Sequence, residues 1–272
     1  MKVLDLKIPS HWNQLTQKQI LFVCRLFLMN LTEQKFKLYT FTKFTGIHTL
    51  PEIIKTNKVY YSFRKKRVKF LLTIEELNSF LKSTDYLLND SKLTINRFPE
   101  FNILGKNFYG PSNNGYNITF LEFINLESCI YAFHKTRETK NLKTLCAILY
   151  RPQKKNYKPN SPSYNGDRRE QFNDYTYQHR ARWFRFLKKE KLYAVYTFYI
   201  GCRNALVEAH PNLFSGGSVK SEQTNPVKDL QKTLFSLNRG DITKNKEIQQ
   251  IQVWEAFSQL EEMVIQAKRK GK

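Results

Sequence analysis

Little in this sequence is negative. Only 23 Asp and Glu stand against 45 Lys and Arg, leaving a formal charge of +22. That imbalance speaks against a partner that is itself basic and favours anionic surfaces, of which nucleic acid is the commonest. Cysteine is scarce as well. Cys24, Cys129, Cys146 and Cys202 lie far apart in apolar, helix-like segments, with no CxxC or Cys/His spacing. This excludes the usual zinc frameworks and predicts buried free thiols in a reducing cytoplasm. The glycine signatures of nucleotide-binding loops are missing, as are the H-E-x-x-H and G-x-S-x-G patterns. His11, His48, His134, His179 and His210 are scattered without metal spacing. No catalytic residue, metal site or cofactor is expected. No apolar run is long enough to span a bilayer: Leu192–Cys202 is too short, and Arg25 interrupts 20–29. The start, MKVLDLKIPS, has no apolar signal core, so the expectation is a soluble intracellular protein with no membrane role.

What is present is material for a core. The 272 residues are 41% hydrophobic and 14% aromatic, enough for one large domain or two small ones. The charge has a second explanation. Lys, Asn, Ile, Phe and Tyr are all abundant, as an AT-rich genome produces, and lysine accumulates that way without a nucleic-acid role. Cations recur in nearly every segment, including Lys35, Lys37, Lys154, Lys155 and Lys232. On that ground the sequence leans towards scattered charge.

The central stretch, Thr119–Pro152, reads as two helices in a tight antiparallel hairpin. Thr119 and Glu122 have the form of a capping box. Phe123, Leu126, Ile130 and Phe133 follow at helical spacing, then the polar loop 135–140, then Leu142, Leu145, Cys146 and Leu149. Pro152 stops the second helix. Upstream, Thr16 with Gln19 opens a helix through Leu28. Thr32 caps another that Gly46 ends. Val59–Phe63 and Val68–Leu72 bracket a basic turn and predict a β-hairpin. Thr73 with Glu76 starts a short helix. Residues 90–117 read as loop, with Pro99, Gly105, Gly110, Pro111 and Gly115 as punctuation, and so as the boundary between an N-terminal region, 1–98, and a helical core, 118–272. Further breaks fall at 153–166 and 215–225. Helical stripes follow at Phe172–Phe186, Leu192–Leu206 and Glu247–Lys270. The fold class predicted is mainly α: a multi-helix bundle with a small β-hairpin near the N-terminus.

Three constellations carry candidate chemistry. Glu127 falls in the apolar stripe of the first central helix, where a carboxylate needs a partner. Arg151 is the expected one, in a structural ion pair. Asp167, Glu170 and Asp174 fall at i, i+3 and i+7; on one helical face they would suit a divalent metal, but Arg168, Arg169 and Arg180 beside them favour salt bridges. The basic clusters are Arg64, Lys65, Lys66 and Arg67 in the hairpin turn, and Arg180, Arg182, Arg185, Lys188 and Lys189 among Trp183, Phe184 and Phe186. Cations interleaved with aromatics bind phosphate and stack on bases. The competing reading turns Trp183 and Phe186 inward and leaves the cations as a solvated face. No RRM, KH, helix-turn-helix or zinc-finger signature is present.

The run ITFLEFINLE, then LKTLCAILYRP, a basic helical pair and the terminal VWEAFSQLEE resemble a family of tailed-phage proteins of phages and prophages of the Bacteroides lineage, over about Ile118 to Lys270. Genes of that family tend to lie near tail-tube and tape-measure genes. The resemblance implies a non-enzymatic role as a tail-assembly chaperone or minor virion component, in the bacterial host cytoplasm or the particle, with phage structural or tape-measure-like tail proteins as partners. A basic nucleic-acid-binding protein is the alternative.

Overall fold

The computed structural model describes residues 8–49, 58–63, 68–155, 157–162, 164, 166–214 and 245–270. The fold is mainly helical with small antiparallel sheets. The chain divides into two compact units, Met1–Lys92 and Leu93–Lys272.

In the first unit, α1 (Gln17–Phe27) opens on a complete capping box in which Thr16 and Gln19 satisfy each other's backbone N–H. Helix α2 (Glu33–Thr45) ends at Gly46, whose φ of 74° is the left-handed cap that glycine adopts freely. These helices pack on each other through Ile20, Val23, Cys24, Phe36 and Phe41, all buried. Strands β1 (Ile47–Thr49), β2 (Lys58–Phe63) and β3 (Val68–Thr73) form an antiparallel sheet in that order, with Lys58 opposite Thr73 and Phe63 opposite Val68. Arg64, Lys65, Lys66 and Arg67 lie outside the described residues. Helix α3 (Ile74–Lys82) starts on the Thr73–Glu76 capping box.

The second unit begins with a correction. Residues 93–117, read from the sequence as boundary loop, pack into this unit and contain a β-hairpin away from the N-terminus. Strands β4 (Glu100–Ile103) and β5 (Lys106–Tyr109) pair antiparallel. Phe101 faces Phe108 across the ladder, and both are buried. Leu104 and Gly105 both have positive φ, 48° and 80°, as a tight two-residue hairpin turn requires. Leucine in the first of those positions gave no turn signal.

Helices α4 (Phe120–Thr136) and α5 (Thr139–Leu149) form the central hairpin, turned at Arg137 with φ of 55°. Their apolar stripes are buried against each other. The stripe expected over 172–186 is not one helix. A short α6 (Tyr177–Ala181) runs into a 3-10 turn, Trp183–Phe186. Helix α7 (Lys189–Ala209) buries Leu192, Val195, Tyr199, Cys202 and Leu206. Gly201 sits where the backbone of Leu93 crosses: a Cβ there would lie 2.2 Å from Leu93 O. A one-turn α8 (Pro211–Phe214) follows. The expected C-terminal helix is broken in two, α9 (Asn245–Gln250) and α10 (Val253–Lys270). The break is where the chain pairs with the start of α4: Phe120 N donates to Ile251 O at 2.9 Å, and Val253 N to Ile118 O at 2.8 Å.

Candidate functional site

Most of the buried charges of the second unit gather at one helix end. The last carbonyls of an α-helix lack intrahelical donors and carry its partial negative charge. At the end of α5 each of three successive carbonyls takes a guanidinium. Arg180 Nη1 donates to Ala147 O at 2.9 Å, Arg151 Nη1 to Ile148 O at 3.2 Å and Arg169 Nη1 to Leu149 O at 2.9 Å. Carboxylates balance them. Glu122 is fully buried and pairs with Arg151; its Oε1 lies 3.5 Å from Arg169. Asp167 accepts from Arg169 Nε at 2.9 Å and lies 3.5 Å from Arg151 Nη2. Glu170 pairs with Arg180. Burial, and then the neighbouring Arg169, pull the Arg151 pKa well below the usual arginine value. Burial pulls Arg180 down too, against the pull of Glu170.

This arrangement corrects two expectations. Glu127 is buried, as its helical phase predicts, but Arg151 is not its partner. Glu127 accepts from Arg203 Nε at 2.9 and 3.0 Å and from Tyr199 Oη at 2.8 Å, both on α7. Arg151 turns instead to the capping glutamate, Glu122, whose Oε2 also accepts the Thr119 backbone N–H at 2.7 Å. One carboxyl group thus caps α4 and anchors α5. The three acids 167, 170 and 174 share no helical face, because residues 166–176 are not helical; the first two are salt-bridged, to Arg169 and Arg180. Among the described residues no group of three His, Cys, Asp or Glu converges to hold a metal.

The buried histidine and cysteines of the second unit serve its packing. His179, which falls within the apolar stripe read from the sequence over 172–186, is exposed, whereas His210 is buried between Leu206 O and the Ser258 hydroxyl. His134 meets Tyr196 Oη at 2.9 Å, and burial, then Arg137 and Arg203, lower its pKa. All four cysteines are buried, and burial pushes the Cys129 thiol up to about 12. Such a thiol is a packing group rather than a nucleophile.

The exposed cations make a different kind of site. Of the second cluster, Arg180 is removed by its role inside α5's end. Arg182, Arg185, Lys188 and Lys189 are exposed. The 3-10 turn changes the phase of the aromatics: Phe184 is fully buried against Phe108, and Phe186 is left 50% exposed. Arg185 lies over the Phe186 ring at 4.7 Å, and Lys106 of β5 lies over Trp183 at 4.3 Å. Lys188 is the N-cap of α7 and makes no side-chain cap hydrogen bond; Lys189, Glu190 and Lys191 fill the first turn. A helix N-terminus is already positive, and acidic or hydroxyl caps normally offset it. Here three lysines, at 188, 189 and 191, outnumber the single acid of the first turn, Glu190. Sequence reasoning named most of these residues but missed Lys106 and the open helix end.

In the first unit, Phe22, Leu26, Met29 and Tyr39 line an open concavity of about 470 Å³ with Arg25 and Lys43 at its edge. Met29 is 54% and Tyr39 45% exposed. Among the described residues no helix is long and apolar enough to cross a membrane. No protein-family model, no curated protein and no solved structure matches the chain.

Proposed function

We propose that this is a non-enzymatic binding protein whose second unit holds nucleic acid at the start of α7. The observation that carries the reading is the lysine-capped, otherwise uncapped N-terminus of a 21-residue helix, beside an exposed phenylalanine and two exposed arginines. Backbone N–H groups and four cations supply sites for phosphate, and Phe186 supplies a ring face for a base. The buried carboxylates and guanidinia are committed to holding α4, α5 and α7 together, which supports a binding rather than a catalytic role. The test is a titration with single-stranded DNA and RNA at two salt concentrations. Binding is expected to weaken steeply with salt, since each neutralised phosphate releases counterions. Changing Arg182, Arg185, Lys188 and Lys189 together to Glu is expected to abolish it. Phe186→Ala is expected to cost about 1–3 kcal/mol for single strands. Weak binding that ignores all of these changes would remove the reading.

The concavity between α1 and α2 favours a second reading, the tail-assembly role that the phage resemblance implies. An apolar groove with a basic edge suits an amphipathic helix flanked by acidic residues. The partner would be a tape-measure-like tail protein. Co-purification with such a protein, lost on changing Met29 and Tyr39 to Asp, would support it. Co-purification unaffected by those changes would count against the groove.

A further inference from the structure

On the solvent face of the β4–β5 hairpin, Arg168 is held more firmly than an ordinary surface arginine. Its guanidinium lies 3.8 Å from the centre of the Tyr109 ring and 5.1 Å from that of Tyr157. Tyr164 braces Tyr157 edge-on at 5.6 Å. Arg168 Nε donates to Gln153 Oε1 at 2.8 Å, and Arg168 O accepts the Lys154 backbone N–H at 3.1 Å. Side chain and backbone are therefore both fixed, yet the two Nη groups have no partner among the described residues. The neighbouring acid, Asp167, turns to Arg169 and Arg151. Lys155 and Lys158 stand exposed nearby in sequence. An arginine fixed by ring stacking, with the donors of its fork open, has already lost the rotamer freedom that binding would otherwise cost.

We propose that Arg168, flanked by Tyr109 and Tyr157 and tied at Nε to Gln153, is a preformed clamp for a phosphodiester of bound nucleic acid. The inference rests on the nucleic-acid reading above and extends it to a second contact point. The two Nη groups donate to two phosphate oxygens at once, which a lysine ammonium cannot match in geometry.

The experiment is fluorescence anisotropy of a labelled oligothymidylate with the full chain, at low and physiological salt. Arg168→Gln is expected to weaken binding about tenfold and to reduce the slope of log K against log salt by about one. Arg168→Lys keeps the charge, so it is expected to keep the slope and recover only part of the affinity. Wild-type affinity in both variants, with binding still lost in the Arg182, Arg185, Lys188 and Lys189 charge reversal, would overturn the clamp and leave the α7 reading standing. Wild-type affinity in Arg168→Lys alone would overturn the bidentate fork. An unmodified protein that binds no oligonucleotide would sink both proposals. Arg168-dependent retention of a phosphoserine peptide, with the oligonucleotide indifferent to Arg168, would overturn the nucleic-acid assignment.

Discussion

Two glutamates on one helix, five positions apart, carry unequal loads. Removing the Glu122 carboxylate strips Arg151, only 2% exposed, of its nearest counter-charge, leaving Asp167 at 3.5 Å, and removes the capping contact to Thr119. Loss of one member of a buried pair costs about 3–5 kcal/mol, because the other is left charged and unsolvated. Glu127 pairs with Arg203, whose side chain is 41% exposed and can rehydrate. Its removal is expected to cost on the order of 1–2 kcal/mol, nearer the value of a hydrogen bond to a charged group. Urea unfolding of Glu122→Ala and Glu127→Ala should therefore rank Glu122 as the costlier loss; equal midpoints would disprove the difference in load. With Arg151 assigned to Glu127, as the sequence suggested, the order would be the opposite. Helical phase put Glu127 in the core, but phase carries no information about a partner 76 residues away on α7. Glu122 was legible as a cap, and that first role concealed the second.

At the scale of elements, α7 and the segment entering the second unit are fitted without clearance. Gly201→Ala would drive a methyl group into the backbone of Leu93, which cannot rotate away as a side chain can. Overpacking of this kind costs about 1–3 kcal/mol, so a lower thermal midpoint is expected, and an unchanged one would show that the crossing segment shifts freely. The glycine looked like one more helical residue. Elements with local signals were readable: Thr16, Thr73 and Thr119 cap helices, Gly46 ends one, and the stripes of α4, α5 and α7 are buried. Elements specified by distant contacts were not. The β4–β5 hairpin has four-residue strands and a Leu-Gly turn. The 3-10 geometry of Trp183–Phe186 put Phe184 rather than Phe186 inward, and that shift creates the exposed ring of the candidate interface.

At the scale of the whole molecule, the second unit is closed by its own end. Ile118 and Phe120 at the start of α4 bond to Val253 and Ile251, while Trp254 Nε1 donates to Asn114 O at 3.0 Å. Ala256, Phe257 and Leu260 of α10 are buried. Deleting everything from Asn245 onwards is expected to abolish cooperative unfolding of the 93–272 unit, read by near-ultraviolet circular dichroism and dye binding; a sharp transition in the truncated chain would contradict this. The cations are divided in function at this scale. Arg151, Arg169 and Arg180 are structural, whereas Arg182, Arg185, Lys188 and Lys189 face solvent, so net charge alone could not say how many were available to a ligand. The three guanidinia at the end of α5 also set a timetable for biosynthesis. A chain leaving the ribosome exposes α4 and α5 before Arg169 and Arg180 have emerged, and the residues that pair with Ile118 and Phe120 come later still. The nascent hairpin therefore emerges with two of its three terminal clasps unmade and its apolar stripes uncovered. Until α10 is available to cover them, those stripes are the surface of the second unit most prone to aggregation during synthesis.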